Sequence, residues 1–281
     1  TKVHLWNIRA KRRPPGLRPQ HKAAVEAVRR LTNAEVRGLN PGSLELEFSP
    51  LKPAGGRLDL DTGTAGSTTL VLQSLLPALI FARTSTDIRI QGGTNNPLAP
   101  SIDYVERVVA PILTMMGVML QVKHERRGFY PRGGGVLRAL TVPIEVLNPI
   151  RMTDFGGIIG VDGIAYSSRL PPHIVARMVK TAQGILRRFD GWPLNVEAEI
   201  NQATDPRCAL SPGCGILLTA SVTPRGALGA DSLGEVGKPA EKVGEEASTS
   251  LLHTIQKKAP VDKYLGDQLI VYMALAKGLS T

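Results

Sequence analysis

The sequence predicts an α/β protein built from layered, mixed sheets. Stretches with helical spacing of apolar residues alternate with short runs of strict apolar–polar alternation. Neighbouring strand stretches lie close enough in sequence to pair as hairpins, which argues against an all-parallel sheet. A length of 281 residues with 42 % hydrophobic content is ample for a large buried core.

Along the chain, Ala23, Val25, Ala27, Val28 and Leu31 suit one face of a helix from Pro19 to Leu31. "LELEF" (Leu44–Phe48) and "RLDLD" (Arg57–Asp61) alternate as strands, with "PAGG" as a turn between them. An apolar helix follows at Ser67–Phe81, then a strand at Thr86–Gln91, a helix at Ile102–Met116, and strands at Val118–Glu125 and Gly135–Val142. A second block opens near Arg151. It reads strand ("GIIGVDGIAYSS"), helix ("PPHIVARMVKTAQGILRRF"), strands ("NVEAEI", "GILLTASV") and a helix over Pro239–Ile255, with prolines where helix N-termini accept them. A last buried helix is expected at "LIVYMALAKG". Strands around paired helices recur, which suggests repeated α/β units.

Charge is the strongest signal of composition. The net charge is +10, and residues 1–30 hold Lys2, Arg9, Lys11, Arg12, Arg13, Arg18, Lys22, Arg29 and Arg30 against the single acid Glu26. Such a concentration attracts polyanions. Pro14, Pro15 and Gly16 give the loop "IRAKRRPPGLRPQH" a fixed shape, unlike a solvated basic face. Aromatic content of 4 % argues against a stacking platform for several bases. No apolar run is long and charge-free enough for a bilayer, since Ser67–Ala82 includes Gln73 and Pro77. Cys208 and Cys214 match no zinc spacing and read as inert thiols of a reducing compartment, so a cytoplasmic location is expected. No P-loop, no HExxH and no metal-spaced cluster occurs, and His4, His21, His124, His173 and His253 are scattered.

Four further stretches carry chemistry. "GTAGST" (Gly63–Thr68) precedes a helix, where backbone N–H groups suit an anion, although tight packing explains its glycines equally well. Gln73 is an amide in an apolar helix, fit either to read a ligand edge or to make a structural hydrogen bond. "GGTNNPLAP" (Gly92–Pro100) and "RRGFYPRGGG" (Arg126–Gly135) are stiff loops, usable as pocket walls or as plain connections. "YLGDQ" (Tyr264–Gln268) sets an aromatic, a carboxylate and an amide before the last helix, where Asp267 and Gln268 could equally cap it.

Together with "LGADSLGE" and "VDKYLGDQLIVYMALAKG", these stretches fall in an order and spacing that resembles the RNA 3′-terminal phosphate cyclase family over nearly the whole chain. The resemblance implies ATP-dependent conversion of an RNA 3′-phosphate into a 2′,3′-cyclic phosphate. The implied route has three steps: a histidine takes AMP from ATP, AMP passes to the 3′-phosphate, and the 2′-OH displaces it. ATP and a divalent metal (Mg or Mn) are the implied cofactors, and RNA 3′-phosphate ends are the implied partner, with no membrane. By position, Arg9 and Arg12 contact phosphates with Gln20 in support, while Gln73 binds the nucleotide. Pro100 and Tyr264 sandwich the adenine, Asp267 lies near the ribose, and Leu265, Gly266 and Gln268 complete the nucleotide-binding run. The implied fold is a large domain of repeated α/β units (mixed four-stranded sheets with paired helices), 1–150 and 260–281, with a smaller α/β domain inserted at 151–259.

The family's N-terminal glycine-rich motif and its C-terminal histidine motif are not among these residues, and none of the five histidines matches the nucleophile. The 281 residues are therefore expected to be a piece of a longer protein, inactive by themselves. Alternatives are a non-catalytic relative acting in ribosome assembly, an enolpyruvyl-transferase-type enzyme on similar repeats, or a basic RNA-binding module.

Overall fold

The computed structural model describes residues 1–189, 191–223 and 226–281. It is a mixed α/β structure that divides into two compact units, Thr1–Ala99 with Val118–Glu145 and Pro100–Gly117 with Val146–Thr281. The charge divides unevenly: 19 Lys/Arg against 9 Asp/Glu fall in the first unit and 15 against 15 in the second, so the first carries the whole +10.

The first unit begins with strand β1 (Val3–Leu5), helix α1 (Pro19–Thr32) and strands β2 (Glu35–Arg37) and β3 (Leu46–Ser49). β3 pairs antiparallel with both β1 and β2. Next come β4 (Gly56–Asp61), α2 (Thr68–Leu79), β5 (Thr86–Gly92), β6 (Met119–Arg126) and β7 (Gly135–Val142), whose strands form a sheet in the order β4-β5-β7-β6. β4 and β5 are parallel, which requires a crossover, and α2 supplies it. Alternation puts Leu58, Leu60, Ile88 and Ile90 on the buried face, where Leu72, Leu75, Leu76 and Leu79 of α2 meet the sheet side. Each such side chain contributes about 1.5–3 kcal/mol by leaving water. The strands on either side of "PAGG" do not pair with each other: β3 belongs to the three-stranded sheet and β4 to the four-stranded one.

In the second unit, Pro111 interrupts the expected helix. A proline has no N–H for the carbonyl four residues back. The ladder widens accordingly, and α3 (Ile102–Tyr104) continues through a π turn (Val105–Val109) into α4 (Ala110–Met115), with the Ala110 N–H reaching the Val105 carbonyl. β8 (Gly157–Ser168), α5 (His173–Leu186), β9 (Leu194–Asn201), β10 (Gly213–Thr223), β11 (Gly226–Leu233) and α6 (Ala240–Gln256) follow, and α7 (Lys263–Leu275) ends the series. The sheet order is β11-β10-β8-β9, with β8 and β9 parallel and the other pairs antiparallel. Val161, Ala165, Ile216, Leu218, Leu228 and Ala230 meet Val175, Met178, Ala182, Val243, Ala247 and Leu251 of α5 and α6 in one core.

Two expectations need correction here. β11 is absent from the expected strands, because "GALGADSL" has weak strand propensity; pairing with β10 along its whole length overrides that. The last helix starts at Lys263, ahead of the apolar run, because Asp262 caps it by accepting from the Tyr264 and Leu265 N–H groups (2.9 and 3.0 Å). Asp267 and Gln268 therefore lie within the helix and do not cap it.

Helices α5 and α6 cross at Gly244, where an added Cβ would stand 2.4 Å from the Met178 carbonyl oxygen. Gly244→Ala should force the helices apart at a net cost of about 1–3 kcal/mol, despite its better helix propensity. Urea unfolding would read this as a lowered midpoint, and an unchanged or raised midpoint would contradict it.

Candidate functional site

In the first unit the basic loop is held by its main chain. Ile8 and Leu17 donate to the Leu44 and Ser43 carbonyls (3.0 Å each), Gly42 donates to Leu17 (2.7 Å), and Gly16 donates to Ile8 (3.0 Å). Gly16 has φ +75°, and a Cβ there would stand 2.2 Å from the Gly42 oxygen, so only glycine lets the two strands of backbone approach. Arg9, with φ +52°, turns back on its own loop and donates through Nη1 to the Pro14 and Gly16 carbonyls (3.2 and 3.0 Å). Arg12 is exposed and has no side-chain partner among the described residues. The two arginines expected to share one role thus differ: one braces the loop while the other projects from it.

His21 and Gln20 close the loop at the start of α1. The Arg18 N–H donates to His21 Nδ1 (3.1 Å). Burial and the positive charges of Arg9 and Arg18 hold the His21 pKa below the ordinary 6.5. Gln20 connects the loop to "GTAGST", because its Cβ lies 3.4 Å from where a Gly66 Cβ would be.

The three glycine-rich stretches, read separately from the sequence, come together. Gly93 donates to the Gly66 carbonyl (2.8 Å), Asn96 Nδ2 donates to Ala65 (2.6 Å), and Thr94 donates to the Gly128 carbonyl (2.9 Å). A Cβ on Gly133 would come within 2.8 Å of Ala65 Cα. Close main-chain contact explains these glycines. It also uses the N-terminus of α2, since the Thr68 N–H donates to Gly93 (2.8 Å) and the Leu70 N–H to Ser67 Oγ (3.2 Å). Packing is therefore the better account of "GTAGST", and "RRGFYPRGGG" is the connection between paired β6 and β7. Gln73 is half-buried on α2 and makes no side-chain hydrogen bond among the described residues, and Pro77 has no N–H for its carbonyl.

In the second unit, Tyr264, Asp267 and Gln268 stand at i, i+3 and i+4 on α7 and so share one helix face. Tyr264 is 54 % exposed, and Lys263 Nζ lies 4.6 Å from its ring centroid. Leu265 is buried and Gly266 half-buried. Pro100 is half-buried and immediately precedes Ser101, the cap of α3, which accepts from the Tyr104 N–H (3.3 Å). The residue that organises this region, Asp262, was missed from sequence. It is 2 % exposed and accepts from the Tyr104 hydroxyl (2.8 and 3.0 Å), the Gly229 N–H (2.9 Å) and the α7 N–H groups. On β11, two residues from Gly229, burial pushes the Asp231 carboxyl above the ordinary range.

Among the described residues, no three His, Cys, Asp or Glu side chains gather as a metal cluster, and no helix is long and apolar enough to cross a membrane. Cys208 and Cys214 are both free, and burial raises the Cys214 thiol pKa.

A mixed α/β protein with a braced cationic loop is thus defined by its fold. The model of the RNA 3′-terminal phosphate cyclase family matches residues 1–281. The chain is 45 % identical over 277 residues to an RNA 3′-terminal phosphate cyclase of Caldivirga maquilingensis, covering 98 % of this chain and 78 % of that protein. Identity is 42 % to the Desulfurococcus amylolyticus protein of the same name (99 % and 78 % covered) and 43 % to that of Hyperthermus butylicus (99 % and 77 %). The chain belongs to the RNA 3′-terminal phosphate cyclase family.

The cationic environment of His21 gives a direct test. Its pKa, followed by NMR, should lie below 6.5 in the free protein and rise when tripolyphosphate neutralises Arg9 and Arg18. A value that does not respond to the anion would contradict anion binding at this loop.

Proposed function

We propose that this chain serves the ATP-dependent conversion of an RNA 3′-terminal phosphate to a 2′,3′-cyclic phosphate. The observation that carries the reading is Arg12, a guanidinium without a side-chain partner among the described residues, on a loop fixed by main-chain hydrogen bonds, in a unit that holds all of the net charge. Charge develops on phosphoryl oxygens during such transfers, and a cation that needs no reorganisation stabilises it most. Arg12 is the phosphate-contacting residue in this reading. Arg9 holds the loop and lends its charge, Gln20 seats the loop against Gly66, and Gln73 offers its amide to the nucleotide.

The residues of α7 fit a nucleoside. Tyr264 presents an aromatic face, Asp267 an exposed carboxylate able to accept from ribose hydroxyls, and Gln268 an amide on the same helix face. With Pro100 they form the adenine-binding set. When bound, ATP would supply the adenylyl group that turns the RNA 3′-phosphate into an anhydride, so that the 2′-oxygen can close the ring on that phosphorus with AMP as the leaving group. The implied route through a histidine adenylate and an RNA adenylate is part of this reading, and none of the five histidines present is assigned as the nucleophile. No cluster of His, Cys, Asp or Glu stands ready for a metal among the described residues, and the divalent metal (Mg or Mn) of this reading would arrive on ATP, held largely by water and phosphate ligands. The division of 151–259 as an inserted domain is part of the same reading.

The test is conversion of a 3′-phosphorylated oligonucleotide by the intact protein with ATP, alongside Arg12→Ala. Loss of one charge-assisted phosphate contact should lower kcat/KM by about 10²–10³-fold. Wild-type turnover in Arg12→Ala, or no ATP-dependent cyclisation by the intact protein, would overturn the reading.

A further inference from the structure

The residues assigned to adenine come from two segments far apart in sequence, Pro100 at the start of α3 and Tyr264 in the first turn of α7. Within the second unit, one hydrogen-bonded network ties those segments together. Tyr104, four residues after Pro100, donates its hydroxyl to both oxygens of Asp262, two residues before Tyr264, a link across 158 residues of sequence. Strand β11 holds the Asp262 end, its Gly229 N–H donating to Asp262 Oδ2 (2.9 Å). Gly229 is required there, since a Cβ would stand 2.6 Å from the Tyr104 ring.

Resting on the adenine assignment above, we infer that the Tyr104–Asp262 hydrogen bond, backed by the Gly229 N–H of β11, is a strut that sets the spacing of Pro100 and Tyr264 and so tunes base recognition. Tyr104 and Asp262 are positioning residues: neither need touch the nucleotide. Tyr104 is buried beside a carboxylate, which keeps its hydroxyl protonated and donating across the workable pH range. The network makes no demand on the triphosphate, so its loss should be felt by the base alone.

Tyr104→Phe removes the donor and keeps the ring. ATP and inorganic tripolyphosphate binding would be measured by calorimetry on the intact wild type and variant, with KM and kcat for cyclisation beside them. The strut predicts that the variant binds ATP about tenfold more weakly. Tripolyphosphate affinity should hold within about twofold, and the loss should fall on KM for ATP rather than on kcat. Unchanged tripolyphosphate affinity also shows that the variant is folded. Equal ATP affinity in both proteins would overturn the strut while leaving the adenine assignment standing. Equal loss for ATP and tripolyphosphate would also overturn it, as a general defect. A wild type that binds tripolyphosphate but gains nothing from the nucleoside would instead overturn the adenine assignment, and the strut with it.

Discussion

A carboxylate withdrawn from water is tolerated only if donors replace the water, and Asp262 meets that demand with the Tyr104 hydroxyl and the N–H groups of Gly229, Tyr264 and Leu265. Each donor belongs to a different segment or to the helix that Asp262 itself begins. Satisfying one buried charge therefore fixes α3, β11 and α7 in a single arrangement. The small residues of β11 follow from this, since Gly229 gives way to the Tyr104 ring. So does the early start of α7, which places Tyr264, Asp267 and Gln268 on its first two turns.

The basic loop of the first unit solves the opposite problem, how to crowd cations that have no acidic partner among the described residues. Arg9, Arg12, Arg13 and Arg18 repel one another, and the loop keeps its form through main-chain bonds to residues 42–44 and through Arg9 donating to its own carbonyls. The positive φ of Arg9 is a strained conformation costing on the order of 1–3 kcal/mol, which those two bonds offset. A shape settled in advance leaves little ordering to be done when an anion arrives. The neighbouring glycine loops extend the same principle, with backbone packed on backbone where side chains would intrude.

Much of this was legible in the sequence, and what was hidden had a common cause. Alternation marked Arg57–Asp61 and Gly135–Val142 because each has one buried face, and the apolar run after Ser67 marked α2. The basic loop, Gln73 and "YLGDQ" could be picked out because charge, amide and aromatic stood against their surroundings. β11 could not, since its Gly229 makes sense only beside Tyr104 and Asp262. Asp262 itself looked like any residue before a helix, and its partners lie 33 and 158 positions away. The different duties of Arg9 and Arg12 were equally invisible, because they depend on which guanidinium turns inward.

On the proposed reading, the braced loop recognises a terminal phosphate rather than RNA in general. Fluorescence anisotropy of one labelled oligonucleotide, carrying either a 3′-phosphate or a 3′-hydroxyl, tests it most directly. The structure predicts at least about tenfold tighter binding of the phosphorylated end, as expected for a charge-assisted contact of 1.4 kcal/mol or more. That preference should vanish in Arg12→Ala. Equal affinity for the two ends in the wild type would contradict the account.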